Sequence, residues 1–184
     1  MVTSLPNLLT ISRIGVIPLI VVTFYFDSPG MRWFACALFV AAAITDFFDG
    51  YFARRHNIVS SFGRFLDPIA DKLLVSAVLL LLTSFDRVHE ISVLPAIVIL
   101  LREILVSGLR EYLAELQVGM PVSRLAKWKT GIQMTALPVL IVGAAAPDWL
   151  PAQIIGEILL WAAGGLTLIT GWDYLQAGLK HMKA

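Results

Sequence analysis

Residues 46–71 read DFFDGYFARRHNIVSSFGRFLDPIAD, and this stretch places four aspartates in an otherwise strongly apolar chain. Asp46 and Asp49 are three residues apart, and Asp67 and Asp71 are four apart. Both spacings put the two carboxylates of a pair on one face of a helix, one turn apart. The stretch therefore predicts two consecutive helices, each with an acidic stripe near the short link that joins them.

The chain around this stretch has the composition of a helical membrane protein. Of its 184 residues, 58% are hydrophobic, whereas soluble domains contain about 45–50% apolar residues. Apolar runs of about 20 residues, enough to cross a bilayer, recur along the chain, and the alternating pattern of a membrane β-barrel is missing. We predict an all-α, polytopic membrane protein, one domain over residues 1–184, with six transmembrane helices. Their predicted ranges are 6–26, 31–54, 62–85, 91–116, 127–146 and 153–179.

Charge and cysteine content exclude other classes of protein. The net charge is only +1 and no basic arm is present, so we expect no nucleic-acid partner. The single cysteine, Cys36, lies in an apolar run and has no second cysteine for an internal disulfide. No Lys or Arg precedes the first apolar run, so we expect that run to remain as a membrane helix rather than to be a cleaved signal.

Lys and Arg residues collect on one side of the predicted membrane. The links at 27–32, 86–90 and 146–152 together hold only Arg32 and Arg87. The opposite side holds Arg54, Arg55, Arg64, Arg110, Arg124, Lys127, Lys129, Lys180 and Lys183. Because basic residues favour the cytoplasmic side, we expect a multi-pass protein of the cell (inner) membrane, with the aspartates and both termini in the cytoplasm. Aromatic belts at the interfaces are expected to contain Trp33, Trp149, Trp172 and Tyr174.

Two facing acidic stripes would bring four carboxylates together. Carboxylate oxygens suit hard cations such as Mg²⁺ or Mn²⁺ rather than zinc, so the residues alone predict a divalent-metal site. Gly50 and Ala53 continue the first stripe and remove side-chain bulk, which lets a ligand or the opposite helix approach the backbone. Arg54 adds a fixed positive charge suited to phosphate oxygens.

These features together favour a pyrophosphate substrate. Divalent ions would neutralise the diphosphate and stabilise a departing phosphate group. A carboxylate that is not fully committed to metal would take the proton of an attacking hydroxyl, and Asp71, at the far end of its stripe, is our choice for this general base. No Ser-His-Asp or Cys-His arrangement is visible, so we expect no covalent enzyme intermediate.

The complete pattern D-x-x-D-G-x-x-A-R-x(8)-G-x-x-x-D-x-x-x-D of residues 46–71 resembles the signature of the CDP-alcohol phosphotransferase family, and no position departs from it. The resemblance implies a six-helix membrane enzyme, commonly a homodimer, in which an alcohol displaces CMP from a CDP-linked substrate at a cytoplasmic two-metal site. By position, it implies that the metal ligands are Asp46, Asp49, Asp67 and Asp71, and that Asp71 is also the general base. It implies CDP-binding positions at Gly50, Ala53, Arg54 and Gly63.

Three stretches outside that signature resemble the bacterial members of the family that use CDP-diacylglycerol and glycerol 3-phosphate. They are residues 6–13, 101–116 and 127–130. The implied reaction gives phosphatidylglycerophosphate and CMP. Because glycerol 3-phosphate is a dianion, its pocket needs cations, and we expect Arg110, Lys127 and Lys129 to bind its phosphate. The alternative is that these residues follow the positive-inside bias or touch anionic headgroups.

Other polar residues in the apolar runs have weaker assignments. Arg13 lies about two turns into the first helix and is expected to contact substrate, with a lipid headgroup as the alternative. Arg102 and Glu103 are expected to form an intramembrane salt bridge rather than to contact substrate. Asn7 and Thr10 are interpreted as helix-start residues.

Two alternative functions stay open at this point. Another enzyme of the same family, such as a cardiolipin or phosphatidylserine synthase, would differ only in a few residues of the acceptor pocket. A divalent-cation transporter would also place carboxylates in membrane helices. Transport sites lie near the bilayer midplane, whereas these aspartates lie at helix ends on one side, which favours the enzyme.

Overall fold

The computed structural model describes residues 5–56, 61–119 and 123–182, and the side chains of residues 7–46, 63, 65–119 and 123–179. Within these ranges the chain forms α-helices and short 3-10 turns and contains no strand, so the all-α prediction is confirmed for them. The helices are α1 (Leu5–Tyr25), α2 (Pro29–His56), α3 (Ser61–Ser84), α4 (Val93–Glu115), α5 (Arg124–Val142) and α6 (Ala152–Met182). The 3-10 turns are Glu90–Ser92 and Gly143–Ala145.

Three of the described helical segments are long and apolar enough to cross a membrane. They are Asn7–Tyr25, Glu90–Glu115 and Ala152–Leu179. Large apolar side chains point outward from all three, including Leu19, Ile104 and Ile158, each more than half exposed. So much exposed apolar surface suits contact with lipid and not with water, and the protein is membrane-embedded. That α2, α3 and α5 also cross the membrane stays a prediction, because each of these helices has several charged residues near one end.

The helices pack around a core that α5 and α6 share with their neighbours. α6 packs along both α5 and α4, α5 also contacts α2, and α1 lies against both α2 and α3. Fully buried core residues include Phe39 of α2, Leu74 and Val78 of α3, Ile99 of α4, Leu137 and Leu140 of α5, and Leu160 of α6. Glycines let α6 approach its neighbours closely, as small residues do at helix interfaces in membranes.

The end of α3 folds back on itself and fixes one end of the bundle. Asp86 adopts a left-handed conformation (φ 51°), and the Arg87 N–H donates to the Leu82 carbonyl at 2.9 Å, which is a Schellman-type helix end. The Arg87 side chain is thereby buried, lies 3.9 Å from the ring centroid of Phe24, and donates to Asp27 at 3.3 Å. The acidic pairs lie at the opposite end of the bundle. One pair is in the second half of α2 and the other is near the start of α3, and both are close to the start of α1.

The largest difference from the predicted helix ranges is in α5. The prediction was 127–146, whereas the helix begins at Arg124 and ends at Val142. At its start, the Ser123 side chain accepts a hydrogen bond from the Ala126 N–H at 3.1 Å, a typical N-cap. At its end, Gly143 has a positive φ of 44°, which terminates the helix. The sequence stays apolar past this residue, so hydropathy alone did not mark the end of α5.

The contact between α4 and α6 provides a test of this packing. An ideal Cβ on Gly164 would lie 2.7 Å from the Cβ of Pro95 in α4, whereas nothing lies within 4 Å of a Cβ on the adjacent Gly165. We expect Gly164→Ala to lower the free energy of unfolding by about 1–3 kcal/mol, because the proline ring has no flexible end that can move aside.

The matched control is Gly165→Ala, which should leave stability unchanged or raise it slightly. Thermal unfolding of the detergent-solubilised protein would show a Tm lower by about 2–10 °C for the first variant only. Equal Tm values for the two variants would contradict the close approach of α4 and α6.

Candidate active site

A polar face of α1 connects the two acidic pairs. Asn7, Thr10 and Arg13 follow one another at every third position, so they share one side of the helix, and all three are at most 2% exposed. Thr10 Oγ1 donates to Asp67 Oδ1 at 2.6 Å, and Arg13 Nη1 lies 2.8 Å from Asp46 Oδ1. α1 therefore contacts one carboxylate of α2 and one of α3.

Asn7 lies in the first turn of α1, as its interpretation as a helix-start residue requires, but the same interpretation of Thr10 is wrong. α1 begins at Leu5, so Thr10 lies inside the helix, is fully buried and binds a predicted metal ligand. A signal for this role was present in the sequence, because polar residues at helical spacing within an apolar span face the protein interior. Arg13 is paired with Asp46 in the structure, and its expected contact with substrate stays a prediction.

The predicted metal ligands are only partly described. The Asp46 side chain is 45% exposed, Asp67 is exposed and Asp71 is partly buried. The side chain of Asp49 lies outside the described residues, and among the side chains that are described no three metal-ligating groups lie close enough together to hold an ion. The donors nevertheless fit a hard cation, since carboxylate oxygens are the ligands that such ions prefer. The four-aspartate metal site stays a prediction.

The predicted CDP-binding positions are also largely outside the described side chains. Gly50, Ala53 and Arg54 belong to the last turns of α2, and nothing is described of their side chains or surroundings. Gly63 is buried in the first turn of α3. These four assignments stay predictions.

A polar cavity of about 240 Å³ lies between α3, α4 and α5. Its lining residues are Pro68, Asp71, Lys72, Val75, Arg102, Glu103, Arg110, Ala126, Lys129, Thr130, Gln133 and Met134. The cavity thus brings together Asp71, the predicted base, and two of the three predicted phosphate-binding residues, Arg110 and Lys129. Lys127, the third, is exposed and does not line the cavity.

Ion pairs hold the cations of this cavity in place. The Lys129 side chain is only 2% exposed, and its ammonium donates to Glu103 Oε1. Arg102 Nη1 lies 3.7 Å from the other oxygen of Glu103, so the expected Arg102–Glu103 salt bridge is confirmed and extends to Lys129. Such pairing compensates the cost of removing these charges from water.

Tyr174 of α6 forms the far side of this charged group. The Arg110 guanidinium donates to the Tyr174 hydroxyl at 3.0 Å, and the Arg102 guanidinium lies 5.3 Å from the centroid of its ring. Tyr174 is 5% exposed, so its predicted place in an interfacial belt is wrong. Trp33, Trp149 and Trp172 are each more than half exposed, as that prediction requires.

The charge of the cavity wall is positive overall. Four cations and two carboxylates line it, which gives a formal charge of +2. Asp71 lies within range of the charges of Asp46 and Arg13 on one side and of Glu103 and Lys129 on the other. Asp71 therefore joins the acidic pairs to the cationic cavity, and the arrangement suits a small anion held beside a proton acceptor.

Two polar residues of the cavity, Lys72 and Gln133, lie outside every stretch that the sequence analysis singled out. Lys72 follows Asp71 and donates to Ser107 of α4. Gln133 lies one helical turn after Lys129 and is 3% exposed. For Gln133 the signal was its place four residues beyond a predicted phosphate-binding lysine, on the same helix face.

Comparisons with known proteins identify the family of this chain. A family model described as CDP-alcohol phosphatidyltransferase matches residues 3–169. A protein of Rickettsia bellii named CDP-diacylglycerol–glycerol-3-phosphate 3-phosphatidyltransferase is 53% identical over 178 residues, which cover 97% of this chain and 97% of that protein. A Pseudomonas fluorescens protein of the same name is 42% identical over 98% of this chain and 92% of its own length. A protein of Oryza sativa subsp. japonica named cardiolipin synthase (CMP-forming) is 41% identical over 90% of this chain and 54% of that protein.

The region that the family model matches includes the polar face of α1, both acidic pairs and every residue that lines the cationic cavity. The resemblance seen in residues 46–71 therefore extends over most of the chain. The chain belongs to the CDP-alcohol phosphatidyltransferase family.

Proposed function

We propose that this protein transfers the phosphatidyl group of CDP-diacylglycerol to glycerol 3-phosphate, which gives phosphatidylglycerophosphate and CMP. A relative with the corresponding name is 53% identical over nearly the whole chain. Among less similar relatives, sequence identity does not show which acceptor is used, since two relatives named for different reactions are 42% and 41% identical to this chain. The choice of acceptor has to be argued from the site.

The positive charge of the cavity carries the assignment of glycerol 3-phosphate. A wall with a formal charge of +2 is neutralised by a phosphate dianion. Serine has no net charge and phosphatidylglycerol carries a single negative charge, so both would leave part of this positive charge uncompensated. The volume of about 240 Å³ also suits a small water-soluble acceptor.

Different residues of the cavity bind the acceptor and accept its proton. Arg110 and Lys129 bind the acceptor phosphate, and Asp71 accepts the proton of the attacking hydroxyl. That oxygen forms a bond to the phosphorus that carries diacylglycerol, and the bond from this phosphorus to the bridging oxygen breaks, so CMP leaves. Asp71 is suited to this role because it lies between the acidic pairs and the cations. The role of the exposed Lys127 in binding the same phosphate stays a prediction.

Enzymes of this family generally depend on a divalent metal. We assign Asp46, Asp49, Asp67 and Asp71 as the ligands of two Mg²⁺ or Mn²⁺ ions, which when bound neutralise the diphosphate and the departing CMP. Thr10 and Arg13 orient two of these carboxylates through the bonds from α1. Gly50, Ala53, Arg54 and Gly63 are assigned to CDP by their match to the family signature.

The membrane arrangement is part of the same proposal. Six helices cross the cell (inner) membrane, the active site and both termini face the cytoplasm, and the protein is a homodimer. The distribution of Lys and Arg supports the orientation, and the resemblance to the family supports the dimer. Membership of a transferase family argues against the cation-transporter alternative.

The reaction can be tested by offering several acceptors to the purified protein. With CDP-diacylglycerol and a divalent metal, we expect CMP release with glycerol 3-phosphate and little or none with serine or phosphatidylglycerol. The charge of the cavity is the reason, because of these three acceptors only glycerol 3-phosphate, a phosphate dianion, neutralises it. CMP release that depends on phosphatidylglycerol instead would establish the cardiolipin synthase alternative, and metal flux into liposomes without CMP release would establish the transporter.

The proton-accepting role of Asp71 leads to a second prediction. Asp71→Asn should lower kcat by about 10²–10⁴-fold, because the amide no longer accepts the hydroxyl proton, while labelled CDP-diacylglycerol still binds. Asp148→Asn, which removes an exposed carboxylate at the opposite end of the bundle, is the matched control and should be fully active. Retention of substantial activity in Asp71→Asn would remove Asp71 from the role of base.

Arg110 provides a prediction about the acceptor. Arg110→Ala should raise the KM for glycerol 3-phosphate by about 10–100-fold and change the KM for CDP-diacylglycerol little, because the guanidinium faces the acceptor cavity. Arg124→Ala, which removes an exposed arginine at the start of α5, controls for loss of general positive charge. Equal increases in both KM values would argue against a contact between Arg110 and the acceptor phosphate.

A further inference from the structure

Gln133 has a buried polar atom that the ion-pair network of the cavity does not use. The residue is 3% exposed, lines the 240 Å³ cavity, and its carboxamide oxygen has no hydrogen-bond partner among the residues that the structure describes. The large majority of buried polar side-chain atoms in proteins are hydrogen-bonded. An oxygen left in this state at a cavity wall indicates that its donor comes from a molecule inside the cavity.

The neighbours of Gln133 on α5 show that it lies at the boundary between the polar cavity and the apolar core. One turn earlier, Lys129 faces the same cavity and is paired with Glu103. One turn later, Leu137 is fully buried in the apolar core. Gln133 thus lies between the charged part of the cavity and the core, where an apolar side chain would pack without leaving an unpaired oxygen.

The chemistry of a carboxamide oxygen defines what it binds. It accepts hydrogen bonds and does not donate them, so it is unfavourable next to phosphate oxygens, for which the cavity has Arg110 and Lys129. A hydroxyl group of a bound molecule is a suitable donor. Glycerol 3-phosphate has two hydroxyls, and the primary hydroxyl that attacks phosphorus gives its proton to Asp71, so the secondary hydroxyl remains.

We propose that Gln133 is the residue that selects a phosphorylated polyol, by accepting a hydrogen bond from the secondary hydroxyl of glycerol 3-phosphate. This inference rests on the proposed function and adds to it a residue that distinguishes acceptors of equal charge. The cations fix the phosphate, and Gln133 fixes the rotation of the glycerol unit, so that the primary hydroxyl is directed to Asp71. A site built around a hydroxyl discriminates strongly against an analogue that lacks it, because a buried acceptor is then unpaired.

The test compares two acceptors with the wild-type protein and with Gln133 variants in reconstituted membranes. The second acceptor is 3-hydroxypropyl phosphate, which has the same charge and the same primary hydroxyl but lacks the secondary one. The wild type should use glycerol 3-phosphate with a kcat/KM roughly 10–100-fold higher than that of the analogue. Gln133→Met, of similar volume and without the acceptor oxygen, should lose most of this ratio because kcat/KM falls for glycerol 3-phosphate only.

Two further variants separate hydroxyl recognition from a structural role. Gln133→Glu keeps an acceptor oxygen at the same reach and should retain the discrimination, although its added negative charge raises the KM for both acceptors. Thr135→Val removes a hydroxyl that bonds within its own helix on the exposed side of α5, and it should leave both acceptors unaffected.

The outcomes that overturn the inference differ from those that overturn the proposed function. If the wild type uses both acceptors equally well, or if Gln133→Met lowers kcat/KM equally for both, Gln133 does not recognise the secondary hydroxyl. The same conclusion follows if Gln133→Glu, recovered as folded protein, uses glycerol 3-phosphate and 3-hydroxypropyl phosphate equally well. Failure of the wild type to release CMP with glycerol 3-phosphate would instead refute the proposed function, and this inference with it.

Discussion

The ammonium of Lys129 is buried in a membrane-embedded protein, and the carboxylate of Glu103 compensates its charge. A buried charge without such a partner would cost several kcal/mol, enough to remove much of the stability of a small protein. The same carboxylate also faces Arg102, so one acid holds two cations of the cavity wall. This pairing lets α4 and α5 bring positive charge next to Asp71 of α3, and the geometry of the proposed acceptor site depends on it.

α1 holds carboxylates of the acidic pairs in place, as Glu103 does for the cations. Its bonds from Thr10 to Asp67 and from Arg13 to Asp46 connect it to both α2 and α3. A carboxylate directed by a hydrogen bond loses rotamer freedom, so its position is defined before a ligand arrives. The buried arginine also offsets part of the repulsion between the carboxylates, which lie near one another at the same end of the bundle. α1 thus contributes to the site although its own sequence contains no acidic residue.

Much of this could be predicted from the sequence, because helices in membranes have strong and simple signals. The apolar runs identified the helices, and the spacing of the aspartates placed each pair on one helix face. The meeting of Asp71 with Arg110 and Lys129 depends on how α3, α4 and α5 pack, which spacing within one helix does not contain. Tyr174 shows the same limit, because its position near a helix end suggested an interface, whereas two arginines of α4 draw it into the interior. Gln133 was missed because its one signal, a place one turn beyond Lys129, has meaning only once that lysine is known to face the cavity.

The two ends of the bundle differ in how completely their polar groups are satisfied, and this difference distinguishes a structural site from a functional one. At the end opposite to the acidic pairs, Glu157 accepts hydrogen bonds from the side chains of Ser92, Gln153 and His89 and from the His89 backbone. Arg87 is stacked on Phe24 and bonded to Asp27. A cavity of about 870 Å³ opens at this end, and four of its polar lining residues, Arg32, Arg87, His89 and Gln153, already have partners.

At the other end, a much smaller cavity contains buried polar atoms with no partner among the described residues, namely the Arg102 Nε and the Gln133 carboxamide oxygen. Unsatisfied buried groups are rare in folded proteins because each lowers stability, and they persist where a ligand completes them. Cavity volume and unpaired polar groups therefore favour different ends of this molecule. The unpaired groups at the cavity wall support the proposed site at the end that carries Asp71, and they do so independently of the family signature in residues 46–71.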